Sequence, residues 1–521
     1  MKTPCDEAVM QSAGIAAPCG PQAGTWILVA TILGSSMAFI DSTVVNVALP
    51  ALQANFHATV VDVQWVVESY GLFLSALILV GGSLGDLFGR RLTFVVGVAI
   101  FAVASAICGA SSNIHQLNIA RSIQGIGAAL LVPGSLAIIS TAFDEKSRGQ
   151  AIGVWSGFTA ITTAIGPVLG GWLVEHASWR WVFFINLPLA VAVIAISLWR
   201  IPESRSASAG RVDWSGALLA TIGLGGLVAG FTESVNLGWQ NPLVFGGLIV
   251  GFGCVIAFVL VEAHVTSPML PLALFDSRTF SGANLLTLFL YSAIGIFFFL
   301  FPLNLIQVQG YSATATGAAI LPMILLMFLL SRWSGGLVAR YGARVPLITG
   351  PLIVALGFAL FALPSVGQSY WKMFFPPVMV LGFGMAVTVA PLTTVVMNSV
   401  TQERVGAASG INNAVARVAG VLAIAVLGIV MVNVFSSQLD RNLSHLSLSP
   451  TLQQQIQADA TKLAGLQVPA GLDSGTRSAM EDFIKRAFVS GFRIVMLICV
   501  ALSVASAAVA GLTIRKDGDA S

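Results

Sequence analysis

Charged side chains are scarce in this chain of 521 residues: only 9% are Asp, Glu, Lys or Arg, whereas 56% are hydrophobic. A typical soluble domain carries roughly 25% charged residues. The chain therefore has too few charges to cover a water-facing surface of its size, and we predict that most of it faces lipid or other apolar helices. The formal net charge of +3 is small and gives no reason to expect nucleic acid as a partner.

Cysteine and histidine are also scarce, which limits the possible chemistry. Five cysteines stand singly without a CxxC pair, and five histidines form no group with metal-ligand spacing. No lysine follows a glycine, so the chain has no Walker A loop for ATP. The GxSxG pattern at residues 81–85 ends an apolar stretch instead of joining a strand to a helix, so we expect no nucleophilic serine there. We therefore expect no cofactor, no bound metal and no enzymatic activity.

Long apolar stretches are what the chain has in abundance. A membrane-spanning helix needs about 20 predominantly apolar residues. Fourteen stretches meet this requirement and predict an all-α, polytopic membrane helix bundle. The predicted spans are residues 25–49, 62–84, 92–111, 114–140, 149–174, 180–200, 214–233, 242–262, 279–305, 314–338, 344–365, 371–396, 406–435 and 487–513.

The basic residues of the short loops predict the orientation in the membrane. One side's short loops hold only Arg180 and Lys372, so the other side is predicted to be cytoplasmic. Both termini, with tails 1–24 and 514–521, fall on that side, which an even number of spans requires. We expect a multi-pass protein of the cell (inner or plasma) membrane, in contact with the lipid bilayer. The basic residues assigned to the cytoplasmic side are Arg90, Arg91, Lys146, Arg148, Arg200, Arg205, Arg211, Arg278, Arg340, Arg344, Arg404, Arg515 and Lys516.

Two short segments recur in the second half of the chain at nearly the same distance. Residues 82–91, after the second span, are similar to residues 335–344, after the tenth. Residues 149–153 are similar to residues 406–410 in the same way. The alternative is coincidence among glycine-rich helices, which is less probable for two echoes than for one. Identical pairs in the first echo include Leu84 with Leu337, Gly89 with Gly342 and Arg91 with Arg344.

This repetition predicts two similar six-helix halves at residues 25–200 and 279–513. Residues 201–278 are then a linker that adds two further transmembrane helices. A polar outer loop at residues 436–486 belongs to the second half and is helical around Gln453–Leu466. Parallel repeats of this kind build a central cleft between the halves, and rocking of the halves gives alternating access.

Three charged residues are predicted to lie at similar depth in the first half. Asp41, Glu68 and Arg121 lie in spans one, two and four, about 9–14 Å below the outer surface at 1.5 Å per residue. Charges inside a span are costly and usually functional. We therefore predict a buried proton-coupling site in which Asp41 carries the proton and Arg121 keeps it ionised until the proton arrives. The alternative is a structural ion pair that neutralises Arg121.

Glu68 has three possible roles. It can be a second proton carrier, it can attract a cationic substrate, or it can lie in outer-facing water because it is close to the helix end.

The turn after the second span is predicted to be a gate on the cytoplasmic side. Gly82 and Gly89 permit close helix approach and sharp turning. Asp86, Arg90 and Arg91 supply an acid and two bases that can clamp neighbouring helix ends in one conformation.

The fifth span carries a third group of small residues: Gly157, Gly166, Pro167, Gly170 and Gly171. Such a helix is smooth and bent, which suits a sliding surface between the halves. Ordinary small-residue packing is the alternative.

These residues resemble motifs of the major facilitator superfamily, most closely those of its fourteen-span drug:proton antiporter family of EmrB/QacA type. Residues 82–91 resemble motif A, Leu117–Gly127 motif B, and Gly157–Gly171 motif C. Asp41–Pro50 resembles the first-span motif of the fourteen-span family, and Trp179–Pro188 resembles its sixth-span signature. The resemblance covers the N-terminal half closely and the C-terminal half mainly by its pattern of spans.

The resemblance implies a substrate class. Arg121 is the motif B arginine, which is associated with proton transfer, and motif C is the antiporter motif of exporters. Family substrates are lipophilic and often cationic drugs or dyes. Some members carry acids in C-terminal helices, but predicted spans nine to thirteen here contain no Asp or Glu. This difference counts against dicationic substrates and leaves a neutral, zwitterionic or anionic metabolite open.

The sequence thus favours a proton-coupled exporter of small lipophilic compounds, with multidrug efflux as its function and small molecules and protons as partners. One alternative is a uniporter or symporter of a small metabolite. Another, of a different class, is a transport-inactive membrane scaffold or sensor. A periplasmic adaptor protein is left open as a further partner.

Overall fold

The computed structural model describes residues 21–143, 145–205, 212–265, 268–400, 405–443, 449–468 and 472–514. Within these ranges the regular elements are helices, and no strand occurs. In chain order the α-helices are α1 (Pro21–Phe56), α2 (Val60–Phe88), α3 (Arg90–Ala110), α4 (Ile114–Ala142), α5 (Glu145–His176), α6 (Trp181–Phe184), α7 (Asn186–Arg200), α8 (Trp214–Leu237), α9 (Pro242–Glu262), α10 (Arg278–Leu303), α11 (Ala313–Gly335), α12 (Leu337–Tyr341), α13 (Arg344–Phe361), α14 (Phe375–Asn398), α15 (Val405–Leu443), α16 (Pro450–Ala458) and α17 (Ser474–Thr513).

Fourteen helical segments in the described part of the chain are long and apolar enough to cross a membrane. The short helix α6 continues into α7 to make one of them. The predicted number of spans and the all-α membrane fold are therefore confirmed. Domain boundaries and membrane orientation remain predictions. Of the residues on which they depend, most of both tails lies outside the described residues. The same holds for the side chains of Lys146, Arg148, Arg211, Arg404, Arg515 and Lys516.

The first helix is longer than predicted. We expected its outer end at Pro50, but α1 continues through this proline to Phe56. A proline removes one backbone hydrogen bond, and neighbouring helices in a membrane bundle tolerate that loss. Asp41 therefore lies fifteen positions before the end of its helix, and not nine.

The predicted outer loop is also shorter than expected, because two helices extend into it. Helix α15 has 39 residues and α17 has 40, so both run beyond the predicted spans. Between them lie α16 and a 3₁₀ segment at Asp459–Gly465. The helical structure predicted around Gln453–Leu466 is thus present.

The chain forms two compact units. One contains residues up to Val45, Ser69–Leu224 and Gly253–Pro271. The other contains Asn46–Glu68, Gly225–Phe252 and the chain from Leu272 onward. Asp41 and Arg121 belong to the first unit, whereas Glu68 is the last residue of a segment of the second.

Both units contain closely packed helix pairs with glycine at the crossing, and one pair in each unit corresponds in sequence. In the first unit α3 packs against α4, and a Cβ added to Gly97 would lie 2.9 Å from the carbonyl oxygen of Gly127. In the second unit α13 packs against α14, and a Cβ added to Gly350 would lie 3.1 Å from the carbonyl oxygen of Gly384. Only glycine allows backbones to approach this closely. Gly97 and Gly350 correspond in the register that pairs Gly89 with Gly342, so the sequence echo extends to the packing.

We expect Gly384→Ala to destabilise the protein. The added Cβ would lie 2.6 Å from the backbone nitrogen of Val354, so α13 and α14 must move apart. Overpacking of this kind costs about 1–3 kcal/mol. Thermal unfolding of the purified protein in detergent measures the loss. The matched control is Gly246→Ala on α9, where an added Cβ meets no atom within 4 Å. An equal melting temperature for both variants would contradict the close crossing.

Candidate functional site

An ion pair between α1 and α4 is the centre of the candidate site. The Nη1 of Arg121 donates to Oδ2 of Asp41 at 2.5 Å. Both side chains are buried, with relative exposures of 1% for Arg121 and 0% for Asp41. The sequence prediction that these two residues meet is therefore confirmed.

Gln124 completes this pair by binding both partners. It lies one turn after Arg121 on α4, so the two side chains lie on the same helix face. Its Nε2 donates to Oδ1 of Asp41 at 2.9 Å, and its Oε1 accepts from Nη1 of Arg121 at 2.8 Å. Each carboxylate oxygen of Asp41 thus has its own donor, as a buried charge requires.

The network continues through two further helices. Ser105 of α3 accepts hydrogen bonds from Nε2 of Gln124 at 3.3 Å and from Nδ2 of Asn186 on α7 at 3.0 Å. Its own hydroxyl donates to the carbonyl of Phe183 at 2.8 Å. Gln124, Ser105 and Asn186 were not among the predicted site residues. The available signal was that each is a polar residue inside an apolar span.

An aromatic ring covers the guanidinium on another side. The Cζ of Arg121 lies 4.3 Å from the centroid of the Tyr70 ring on α2. The face of an aromatic ring attracts a cation, and more strongly where water is excluded. Arg121 therefore has favourable electrostatic partners besides Asp41. This arrangement supplies an opposite charge and hydrogen-bond donors to a carboxylate inside an apolar bundle.

Glu68 has different partners from those predicted. Its Oε2 accepts a hydrogen bond from Oγ1 of Thr232 on α8 at 2.9 Å, within the second unit. Its relative exposure is 0%, so the alternative in which Glu68 lies in outer-facing water is wrong. The expectation of one cluster of three charges is replaced by an ion pair in one unit and a separate carboxyl in the other. Counting residues from the end of the helix did not predict which way the Glu68 side chain points.

The turn between α2 and α3 contains the predicted acid–base clamp. Asp86 accepts from Nε of Arg90 at 2.9 Å and from its Nη2 at 2.7 Å. Gly89 has φ +121°, a conformation that side chains other than glycine rarely adopt. Gly82 lies inside α2, where a Cβ would come within 3.9 Å of Pro133.

A residue that sequence reasoning missed holds this turn together. Both carboxylate oxygens of Glu203 accept backbone hydrogen bonds at the start of α3, from Arg91 at 2.9 Å and from Leu92 at 3.0 Å. These are N–H groups that a helix leaves without partners. The Nη1 of Arg91 also donates to the carbonyl of Ile201 at 2.9 Å.

The corresponding arginine of the second unit is bound in the same way. Nη2 of Arg344 donates to the carbonyl of Gly511 near the end of α17. Arg91 and Arg344 are partners in the sequence echo, and each binds a main-chain carbonyl near the end of the last spanning helix of its half. The repeated arginine thus makes the same kind of contact in both units, a hydrogen bond to a main-chain carbonyl near a helix end.

The small residues of α5 contact α1. A Cβ added to Gly170 would lie 2.6 Å from Cγ1 of Val44, and one added to Gly166 would meet Oγ1 of Thr43. Pro167 and Gly171 are buried, whereas Gly157 has no neighbour within 4 Å of its added Cβ. The observed contacts of Gly166 and Gly170 are close helix packing inside the first unit, and a sliding role for this helix stays a prediction.

Comparison with protein families gives one match that spans most of the chain. The profile of the family described as Major Facilitator Superfamily matches residues 31–217 and 210–424. Among solved structures, a bacterial homologue of the human lysosomal transporter Spinster, in an inward-facing and occupied conformation, aligns with a TM-score of 0.65. That alignment covers 95% of this chain and 98% of the other at 19% identity, so it bears on the fold alone.

Three relatives are named for resistance. Multidrug resistance protein Stp of Mycobacterium tuberculosis is 36% identical over 83% of this chain and 80% of its own length. The tetracenomycin C resistance and export protein of Streptomyces glaucescens is 33% identical over 94% of this chain and 92% of its own. The methylenomycin A resistance protein of Bacillus subtilis is 30% identical over 81% and 91%.

We expect Arg121→Gln to destabilise the protein by about 3–5 kcal/mol, because it leaves a buried carboxylate without its cation. The double variant Asp41→Asn/Arg121→Gln should lose clearly less, since neither charge remains. Thermal unfolding in detergent measures both, with Arg477→Gln at an exposed position of α17 as the control. Equal losses in the single and double variants would count against a charge-neutralising pair.

We expect Glu203→Ala to loosen the first turn of α3. The backbone N–H groups of Arg91 and Leu92 lose their acceptor, which is worth about 1 kcal/mol for a helix cap. Hydrogen exchange of the peptide that holds these amides should then become about fivefold faster. The control is Glu481→Ala at an exposed position of α17, which should leave that peptide unchanged. Unchanged exchange in Glu203→Ala would show that another group caps the helix.

Proposed function

The chain belongs to the Major Facilitator Superfamily, and we propose that it is a proton-coupled antiporter that exports small lipophilic compounds. Its fourteen candidate spans fit the fourteen-span drug:proton antiporter type of that superfamily. It is a transporter and not an enzyme. The observation that carries the proposal of proton coupling is the fully buried Asp41 carboxylate between Arg121 and Gln124.

The coupling mechanism follows from the charge of Asp41. While Asp41 is ionised, Arg121 and Gln124 satisfy both its oxygens. When it takes up a proton, the attraction to Arg121 weakens, and the guanidinium needs a new partner or water. A transporter that alternates between two arrangements can use this change to favour one of them. We propose that Asp41 is protonated from the outer side and releases the proton to the cytoplasm, and that the gating turn at Asp86–Arg91 closes one arrangement.

The direction and substrate class are supported by the named relatives. Two are resistance proteins and a third is a resistance and export protein for an antibiotic. We therefore propose multidrug or antibiotic efflux across the cell membrane, with both termini in the cytoplasm. Because predicted spans nine to thirteen lack acidic residues, neutral or singly charged compounds are better candidates than dications.

We expect Asp41→Asn to abolish proton-driven efflux while the protein remains inserted. Asparagine keeps the shape of the side chain but cannot exchange a proton. Everted membrane vesicles with an imposed pH gradient, tested with a panel of fluorescent neutral and singly charged compounds, measure solute uptake and loss of the gradient together. The control is Asp440→Asn on α15, which makes the same change at an exposed position.

Undiminished efflux by Asp41→Asn at an equal pH gradient would refute the proposed coupling. A solute that moves without any loss of the pH gradient in the wild type would instead indicate a uniporter.

A further inference from the structure

Two polar contacts join α2 to α8, the first of the two helices in the linker predicted at residues 201–278. The Thr232 hydroxyl donates to Oε2 of Glu68 at 2.9 Å. One turn away, the indole Nε1 of Trp65 donates to Oε1 of Glu233 at 2.6 Å. Trp65 and Glu68 are three positions apart on one face of α2, and their partners are consecutive on α8. The contacts therefore form a double cross-link inside the second unit.

Only one of the two carboxylate oxygens of Glu68 has a hydrogen-bond partner in this arrangement. Its Oε1 is buried and has no hydrogen-bond partner among the described residues. Glu233, another acid, is the ionisable group whose charge acts on Glu68 there. A buried carboxylate without a cation is costly, because desolvation is not offset. The site therefore requires a positive charge that the described residues do not supply.

A proton fits this requirement better than a metal ion does. Ca²⁺ and Mg²⁺ take about six or more oxygen ligands, and no group of three or more His, Cys, Asp or Glu residues in the described ranges could hold a metal. A proton needs only the free Oε1 of Glu68 and no additional space.

Glu233 lies between this carboxyl and the end of the helix. It is four residues before Leu237, where α8 ends, or about 6 Å along the axis. Glu68 is eight residues after Val60, where α2 begins, or about 12 Å along the axis.

Glu233 is partly exposed, whereas Glu68 and Thr232 are fully buried. Trp65 fixes the Glu233 carboxylate on the side of α8 that faces α2.

We propose that Glu68 is a second proton-binding carboxyl, that Thr232 positions it, and that Glu233 is the group through which protons reach it from water. The inserted helix α8 then takes a direct part in coupling. The transport role of this site rests on the proposed proton-coupled export, but proton binding by Glu68 does not depend on it.

Infrared titration of the purified full-length protein in lipid nanodiscs tests the binding site without any substrate. The carbonyl stretch of a protonated buried carboxyl should appear as pH falls, and Glu68→Gln should remove it. In Thr232→Val the midpoint of this band should move to higher pH by about one unit, because the lost hydroxyl donor stabilises the ionised form. Thr232→Ser should restore the midpoint. The control is Thr221→Val on the same helix, since Thr221 donates only to Ala217 of its own helix.

Liposomes that contain the same variants test the role in coupling. With a panel compound that the wild type exports, Glu68→Gln should lower the number of protons exchanged per solute by one. Glu233→Gln should slow proton exchange and leave that ratio unchanged.

The inference is overturned if no band depends on Glu68 at any pH, or if Thr232→Val leaves its midpoint in place while Glu68→Gln leaves the ratio unchanged. Failure of the Asp41→Asn prediction alone would refute the proposed function and leave the infrared titration unaffected. Because Gln matches Glu in shape, the Glu68→Gln and Glu233→Gln results remain decisive even if Thr232→Val does not fold.

Discussion

The contacts of the candidate site stabilise one ion pair, between Asp41 and Arg121, inside an apolar bundle. A carboxylate and a guanidinium out of water each cost several kcal/mol unless geometry and hydrogen bonds compensate. Gln124 bridges Asp41 and Arg121, and the Tyr70 ring covers the cation. Ser105 and Asn186 then extend the network to α3 and α7. Helices α1, α2, α3, α4 and α7 all contribute side chains to these contacts, so the ion pair is surrounded by five helices.

The two halves repeat their structure at points where the backbone needs a particular residue. Close crossing of α3 with α4, and of α13 with α14, requires glycine at equivalent places. Arg91 and Arg344 each donate to a main-chain carbonyl that a helix end leaves without a partner. The acidic chemistry is not repeated in this way, since the long helices from α10 onward carry acids at only two places: Asp440 near the end of α15, and Glu481 and Asp482 in the first turns of α17. The two units therefore share these glycine and arginine contacts but differ in their acidic residues.

Helix α8 determines the chemical surroundings of Glu68. Thr232 binds one oxygen of this carboxyl, and Trp65 ties the neighbouring Glu233 to α2. An acid that would otherwise lie near a helix end becomes fully buried. Asp41 and Glu68 are thus two carboxyls with opposite surroundings: one is saturated by a cation and an amide, and the other has a hydroxyl and a free oxygen.

The amino-acid sequence alone determined the helical membrane fold and the fourteen spans, because apolar length acts locally along the chain. It indicated that Asp41 and Arg121 meet, because a charge buried in a span requires a partner of opposite charge. It also indicated the Asp86–Arg90 clamp, whose members are one helical turn apart. Tertiary structure decided the partners of Glu68, the cap that Glu203 places on α3, and the roles of Gln124 and Ser105. These depend on which way each helix is rotated and on which helix lies beside it, and neither follows from the depth of a residue in its span.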